Sequence, residues 1–352
     1  MKIIYALNSD GFGHVTRSIP IIDHLLKKGH KIQIITDESV ANFLEKKYPN
    51  IKIDVVKQPV FVYSKEGVKL AKSFFGWFNA KNAKNLTQTT KIIYNYKPDI
   101  IISDLERYTL WAGKMLEIPT IEIDNHATIF RGDVEFKAKD SGDFFQAKAV
   151  SKLVYPFANY YFGLCFYRTN IVKKNTEVFD PIFMDEIKKF KSKDKGYILV
   201  YNRFMEKTNV TPVLKKIKTE KFIVFGYNQD KIDGNITFKK NEPNLFKYIS
   251  ECKAIITNGG HTLITEALYF KKPIYSIPMK HQFEQLTNAH YLDILGYGES
   301  HTKIDEKSLK QFLINIPKYK QKLKNHKYQD SKLFLKRVDE KIEELVKQFK
   351  NI

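Results

Sequence analysis

Short apolar runs alternate with longer amphipathic segments along most of the chain, and this alternation predicts its elements. The opening run "KIIYALN" reads as a strand. After it Val15, Ile19, Ile22 and Leu25 or Leu26 recur at helical spacing on one face, Gly29 closes that helix, and "KIQIIT" resumes as a strand. "PDIIISD", a helix over Tyr108 to Leu116 and "PTIEID" continue the series. Strands apolar on both faces and joined by helices belong to a parallel sheet covered on both sides.

Between Asp143 and Lys195 the pattern loosens. An aromatic stretch, "LVYPFANYYFGLCFY", leads into a charged segment, so a domain boundary falls near 180 to 195. The alternation then restarts with "GYILVYN", "KFIVFG", "NITFK", "KAIITNGG" and "PIYSIP". From Tyr328 to Phe349 a single charged helix is predicted, with Leu333, Leu335, Val338, Ile342, Leu345 and Val346 as its apolar stripe. The expected division is residues 1–180, 181–327 and a terminal helix over 328–352. Two doubly wound α/β domains in tandem leave a cleft between them, and ligands of such sheets bind outside the carboxyl ends of the strands.

Composition narrows the partners. The 352 residues carry 59 Lys and Arg against 39 Asp and Glu, a net charge of +20, which fits nucleic acid, an anionic membrane or a phosphorylated substrate. The longest weakly charged stretch, Tyr155 to Tyr167, is far shorter than the ~20 apolar residues of a spanning helix, and the N-terminus lacks a signal-peptide pattern. A cytoplasmic protein, peripheral on the inner face of the membrane at most, is the expectation. Cys165 and Cys252 fall in apolar patterns and read as buried free thiols.

Candidate chemistry gathers at two strand ends. In "NSDGFGHVTR", Gly11 and Gly13 suit a tight strand-to-helix turn that a ligand approaches closely, although threonine stands where the third glycine of a dinucleotide fingerprint belongs. His14 is a titratable group at the mouth of the first strand, positioned for a general base. Asp104 ends another strand, where it orients His14 or merely caps the following helix.

The second end carries more: "TNGGHTLITEALYFKKPIYSIPMKHQFEQLTNA" runs a strand into Asn258, Gly259, Gly260, His261 and Thr262 and then a helix. Amides at a helix start beside glycines make a diphosphate site. Glu266, one turn on, can accept two hydrogen bonds from vicinal ribose hydroxyls. His281, Gln282, Glu284 and Gln285 follow at the same edge, suited to sugar hydroxyls.

The series GG-x5-EA, a proline, IP and a glutamine-containing cluster before NA resembles the donor site of GT-B glycosyltransferases. It is most similar to families 28 and 1, which include the peptidoglycan N-acetylglucosaminyltransferase and the macrolide, plant and glycolipid transferases. "GFGH" resembles the acceptor-side glycine loop of the same families, and the likeness covers both halves. It implies two Rossmann-like domains facing a cleft, with the terminal helix crossing back onto the first. By the same resemblance Gly259, Gly260, His261 and Thr262 hold the diphosphate, Glu266 the ribose, and Glu284 and Gln285 the donor sugar. His14, assisted by Asp104, would deprotonate the acceptor hydroxyl, with inversion at the anomeric carbon. A nucleotide sugar, expected to be a uridine-diphosphate sugar, would be co-substrate, with no further cofactor and no metal.

Two positions depart from the pattern. Asn258 stands where many relatives have histidine, and "YNRFMEK" lacks their serine- and glycine-rich loop, leaving Asn202 and Arg203 as candidate phosphate contacts. "SFFGWF" at 73–78 and the aromatic stretch from 155 to 167, amid lysines, suit a lipid-linked acceptor or else pack internally; a glycan acceptor is the other expectation. Two further classes stay open: a non-hydrolysing sugar-nucleotide epimerase, and a basic nucleic-acid-binding protein on the same fold, although no nucleic-acid module is evident.

Overall fold

The computed structural model describes residues 1–9, 11–58, 63–64, 67–68, 79–154, 158–201, 210–240, 242 and 245–351. Asn202, Arg203 and "SFFGWF" lie outside them. The first half is a parallel seven-stranded sheet in the order Ile53–Val55, Lys31–Thr36, Lys2–Leu7, Ile100–Asp104, Thr120–Asp124, Tyr160–Leu164, Thr176–Phe179. Its winding reverses between Lys2–Leu7 and Ile100–Asp104, where Leu7 pairs with Asp104. Both faces are covered: Ile3, Tyr5 and Leu7 join a core with Val15, Ile19 and Ile22, while Ile4 and Ala6 join one with Ile101, Tyr108 and Ala112.

The second sheet runs Lys231–Asp233, Ile236–Phe238, Lys221–Phe225, Tyr197–Tyr201, Ala254–Thr257, Ile274–Ser276, Gly298–Ser300, parallel apart from the hairpin at its edge. Here the reversal lies between Tyr197–Tyr201 and Ala254–Thr257, with Tyr201 paired to Thr257. A reversal point is where the two flanking loops splay apart and open a crevice. The fold therefore has two crevices, one per sheet, and they face each other.

The terminal helix, Ser331–Lys350, does return to the first half. Phe334 packs on Phe162 and Phe179, His24 Nε2 lies 2.9 Å from an Asp339 carboxylate oxygen, and Arg337 Nε donates to Glu177 at 2.8 Å. Its stripe needs correction: Leu333 is 56 % exposed, and Phe334 takes the buried place, because Phe334 and not Leu333 falls on the helix face shared with Val338, Ile342 and Leu345. Tyr328 stands before the helix and donates its hydroxyl to the Thr265 carbonyl. The aromatic stretch is also internal in its described part, with Tyr160–Leu164 an inner strand and Cys165, Phe166 and Tyr167 buried. Among the described residues no helix is long and apolar enough to cross a membrane.

Candidate active site

The turn after Lys2–Leu7 opens the helix Gly13–Lys27, which sets His14 and Arg17 one turn apart on the side facing Asp104. His14 Nδ1 lies 2.8 Å from Asp104 Oδ1. The carboxylate only accepts, so Nδ1 carries the hydrogen and the Nε2 lone pair is left free. Arg17 Nη2 is 2.7 Å from the same nitrogen; a guanidinium only donates, so it and the imidazole converge on Asp104 Oδ1 rather than bonding to each other. Arg17 Nε donates to Asp104 Oδ2 at 2.6 Å and Nη1 to Asn125 Oδ1 at 3.2 Å. Burial alone would raise the Asp104 carboxyl, but Arg17 and His14 outweigh it and hold it at about 2.

Asp104 is not a helix cap. That place belongs to Glu106, whose carboxylate accepts from the amides of Tyr108 and Thr109. Leu105 between them has φ +52°, in the left-handed region, and its amide donates to Glu122 Oε1 at 2.7 Å. A strained residue beside the site lets the chain turn away while Asp104 keeps facing His14.

The facing crevice is built differently. Gly259 has φ +88°, and a Cβ there would stand 3.0 Å from Ser276 Oγ and 3.1 Å from the Gln285 carbonyl oxygen, so only glycine fits without strain. Asn288 Nδ2 donates to the Gly259 carbonyl at 3.1 Å and Asn258 Nδ2 to that of Ile277 at 3.2 Å, which fixes the loop from behind. Gly260 then caps the helix His261–Tyr269, with nothing within 4 Å of where its Cβ would be. His261 Nε2 is buried without a partner, and burial, helped by Arg17, pushes its imidazole down to about 3. Glu266 is buried too, and burial pushes its carboxyl up to about 8.

One cavity of about 320 Å³ joins the two crevices. His14, Gly11 and Gly13 line it from one side, and Asn258, Gly260, His261, Thr262 and Glu266 from the other, with Gln282, Glu284 and Gln285. Most of the described candidates thus meet in one place, while Asp104 stands behind His14 and Gly259 behind the loop without lining the cavity. Four of the candidates also make contacts that the sequence did not suggest. A Cβ on Gly13 would lie 2.3 Å from Thr262 Oγ1, so this glycine, which lines the cavity, also lets the two halves touch. Gln282 caps the helix Phe283–Leu295 by accepting from the Gln285 amide at 3.3 Å, and Gln285 Oε1 accepts from the Met279 amide at 3.0 Å. Glu284 reaches across the cleft: Asn125 Nδ2 donates to its Oε1 at 2.8 Å and His126 Nε2 to its Oε2 at 3.1 Å.

A family model described as Glycosyl transferase family 1 matches residues 1–317. The chain belongs to that family. An uncharacterized glycosyltransferase of Methanosarcina mazei is 23 % identical over 340 residues, covering 85 % of each chain. The UDP-N-acetylglucosamine--N-acetylmuramyl-(pentapeptide) pyrophosphoryl-undecaprenol N-acetylglucosamine transferase 3 of Bacillus cereus is 23 % identical over 325 residues, 82 % of this chain and 81 % of that one. Among solved structures, the Streptomyces sp. SF2575 glycosyltransferase SsfS6, complexed with thymidine diphosphate, superposes with a TM-score of 0.64 at 14 % identity over 93 % of this chain and 94 % of that one. The fold is that of GT-B glycosyltransferases.

Sequence reading missed three residues of this glycosyltransferase's site: Arg17, Asn125 and His126. Arg17 had a signal, since it sits three residues after His14 on a helix face otherwise apolar, where a charge needs a buried partner. Asn125 and His126 had a weaker one, following "PTIEID" at the carboxyl edge of a strand beside Ile100–Asp104.

Proposed function

We propose that this protein is an inverting, metal-independent glycosyltransferase that moves a hexose-type sugar from a nucleotide-diphosphate sugar to an acceptor hydroxyl, with residues 1–180 receiving the acceptor and 181–327 the donor. The observation that carries the reading is the shared cavity, lined by His14 from one half and by Gly260, His261 and Thr262, at the start of the helix His261–Tyr269, from the other. In this reading His14 Nε2 takes the acceptor hydroxyl's proton while its oxygen attacks the anomeric carbon. The bond from that carbon to the diphosphate oxygen breaks on the opposite face, and configuration inverts. Asp104 holds the Nδ1–H and stabilises the imidazolium that forms.

The leaving diphosphate is received by the amides after Gly259, whose dipoles need no reorganisation during the reaction and make a cation unnecessary. His261 Nε2 is an orphan donor or acceptor facing the same cavity, and Glu266 is the ribose ligand. Uridine diphosphate is the leading nucleotide, in line with the donor named for the Bacillus relative, and thymidine diphosphate is the runner-up, in line with the SsfS6 complex. A lipid-linked or other hydroxyl acceptor near an envelope surface agrees with the +20 charge and with the undecaprenol acceptor named for that relative.

The test is a thermal-shift and calorimetric screen against UDP, TDP, GDP and their sugars. A shift with one nucleotide that is lost in Glu266→Ala supports the donor site. No shift with any of them, in folded protein, overturns it.

A further inference from the structure

The carboxylate that the donor sugar would meet is held from the other side of the cleft. Glu284 belongs to the second half, yet both of its oxygens are taken by consecutive residues of the first, Asn125 at 2.8 Å and His126 at 3.1 Å. Asn125 in turn accepts from Arg17, the residue that also holds Asp104. A continuous chain of side-chain contacts therefore runs from His14 through Asp104, Arg17 and Asn125 to Glu284. Each carboxylate oxygen has two acceptor positions, and Asn125 and His126 occupy one on each. The other positions remain for hydroxyl groups in the cavity that Glu284 lines.

From this geometry we infer that His126 is a positioning residue for the donor sugar: by fixing Glu284 across the cleft, it ties recognition of the sugar to the closed arrangement in which His14 faces the anomeric carbon. The inference rests on the proposed transferase reading. It assigns to the first half a share in selecting the donor, and it separates nucleotide binding, done by the second half alone, from sugar binding, which needs both.

The pair is also sensitive to pH. The titratable and charged groups around His126 are Glu284, Asp124, Arg17 and His261. Burial and Arg17 work against a charge on His126, whereas Glu284 and Asp124 outweigh them and hold its titration above the usual histidine range. Glu284 is held below the usual carboxylate range, burial notwithstanding, by His126 and Asn125. The ion pair thus persists to higher pH than an ordinary imidazole would allow and is lost as pH rises through the raised His126 value.

The experiment compares wild type, His126→Phe and His126→Gln for calorimetric binding of UDP and of whichever among UDP-glucose, UDP-galactose and UDP-N-acetylglucosamine the wild type binds best. His126→Phe should weaken the UDP-sugar about tenfold, the scale of one lost hydrogen bond to a charged group, and leave UDP within about twofold. His126→Gln, which keeps an N–H donor, should recover most of the loss but no longer show the wild-type decline of sugar affinity with rising pH. A preference for UDP-sugar over UDP that is unchanged in His126→Phe overturns the inference alone, as does an equal loss of both ligands. If His126→Phe does not fold, a pH response in His126→Gln equal to that of wild type overturns it. Wild type binding neither ligand overturns the transferase reading, and this inference with it.

Discussion

The two crevices occupy the same topological place in two similar sheets, yet their electrostatics are opposite. At the end of Lys2–Leu7 the polar side chains surround a buried ion pair and are already partnered: Arg17 on Asp104, His14 on Asp104, Asn125 on Arg17. At the end of Ala254–Thr257 the polar groups are neutral and in part orphaned, with His261 pushed down to about 3, Glu266 up to about 8, and His261 Nε2 and Ser276 Oγ buried without partners. A crevice whose charges are internally satisfied is built to hold one geometry, as proton transfer requires. One with unmet hydrogen bonds and open amides is built to receive a ligand that completes it.

The contrast breaks most sharply at Arg17. Replacing it by Met leaves Asp104 buried without its countercharge, which should lower unfolding free energy by about 3–5 kcal/mol, read by chemical denaturation. Arg17→Lys should recover only part, because an ammonium does not span both carboxylate oxygens. An Arg17→Met protein as stable as wild type would mean that this crevice is not held by charge.

His14→Ala tests whether the satisfied crevice does the proton chemistry. Turnover should fall by about 10²–10⁴, the share of a positioned base, while calorimetry finds nucleotide affinity unchanged. Full turnover would remove the assignment. Gly13→Ala addresses the contact between the crevices: its methyl would collide with Thr262 Oγ1, so the halves must part and transfer should drop, with recovery in the Gly13→Ala, Thr262→Gly double variant. A double variant no better than the single would place the defect in the turn itself.

Glu266 provides the sharpest sign. Its carboxyl titrates near 8 in the fold, against about 4.3 in an unfolded chain. Between those values the folded protein holds the extra proton, so its stability is full below the lower value and is lost as pH rises toward the upper one. Glu266→Gln cannot lose that proton, and its melting temperature should therefore fall less than that of wild type between pH 5 and 8. The same fall in both would show that Glu266 does not titrate in that window.

Much of this was legible in the chain. Strands at "KIIYALN", "PDIIISD" and "KAIITNGG" follow from apolar runs that a doubly covered parallel sheet demands, and the sites follow because such sheets bind ligands at strand ends. Leu333 was misread because it is apolar yet lies about 100° round the helix from Phe334, on the side away from Val338, Ile342 and Leu345. That Gly13 also lets the two halves touch could not be read, because a sequence lists the turn but not its neighbour from the other half, Thr262, 249 positions away by residue number.

What the sequence determined by itself is whatever depends on local spacing: the strand-helix alternation, the glycine turns, the His14 and Gly259–Thr262 edges, and the resemblance they carry. Only the tertiary structure decided how those edges meet. Arg17 became the centre of one crevice because burying a guanidinium requires a carboxylate from a distant strand. Glu284 became a cross-cleft contact because Asn125 and His126 end a strand of the opposite sheet, and no spacing along the chain encodes a distance between two sheets.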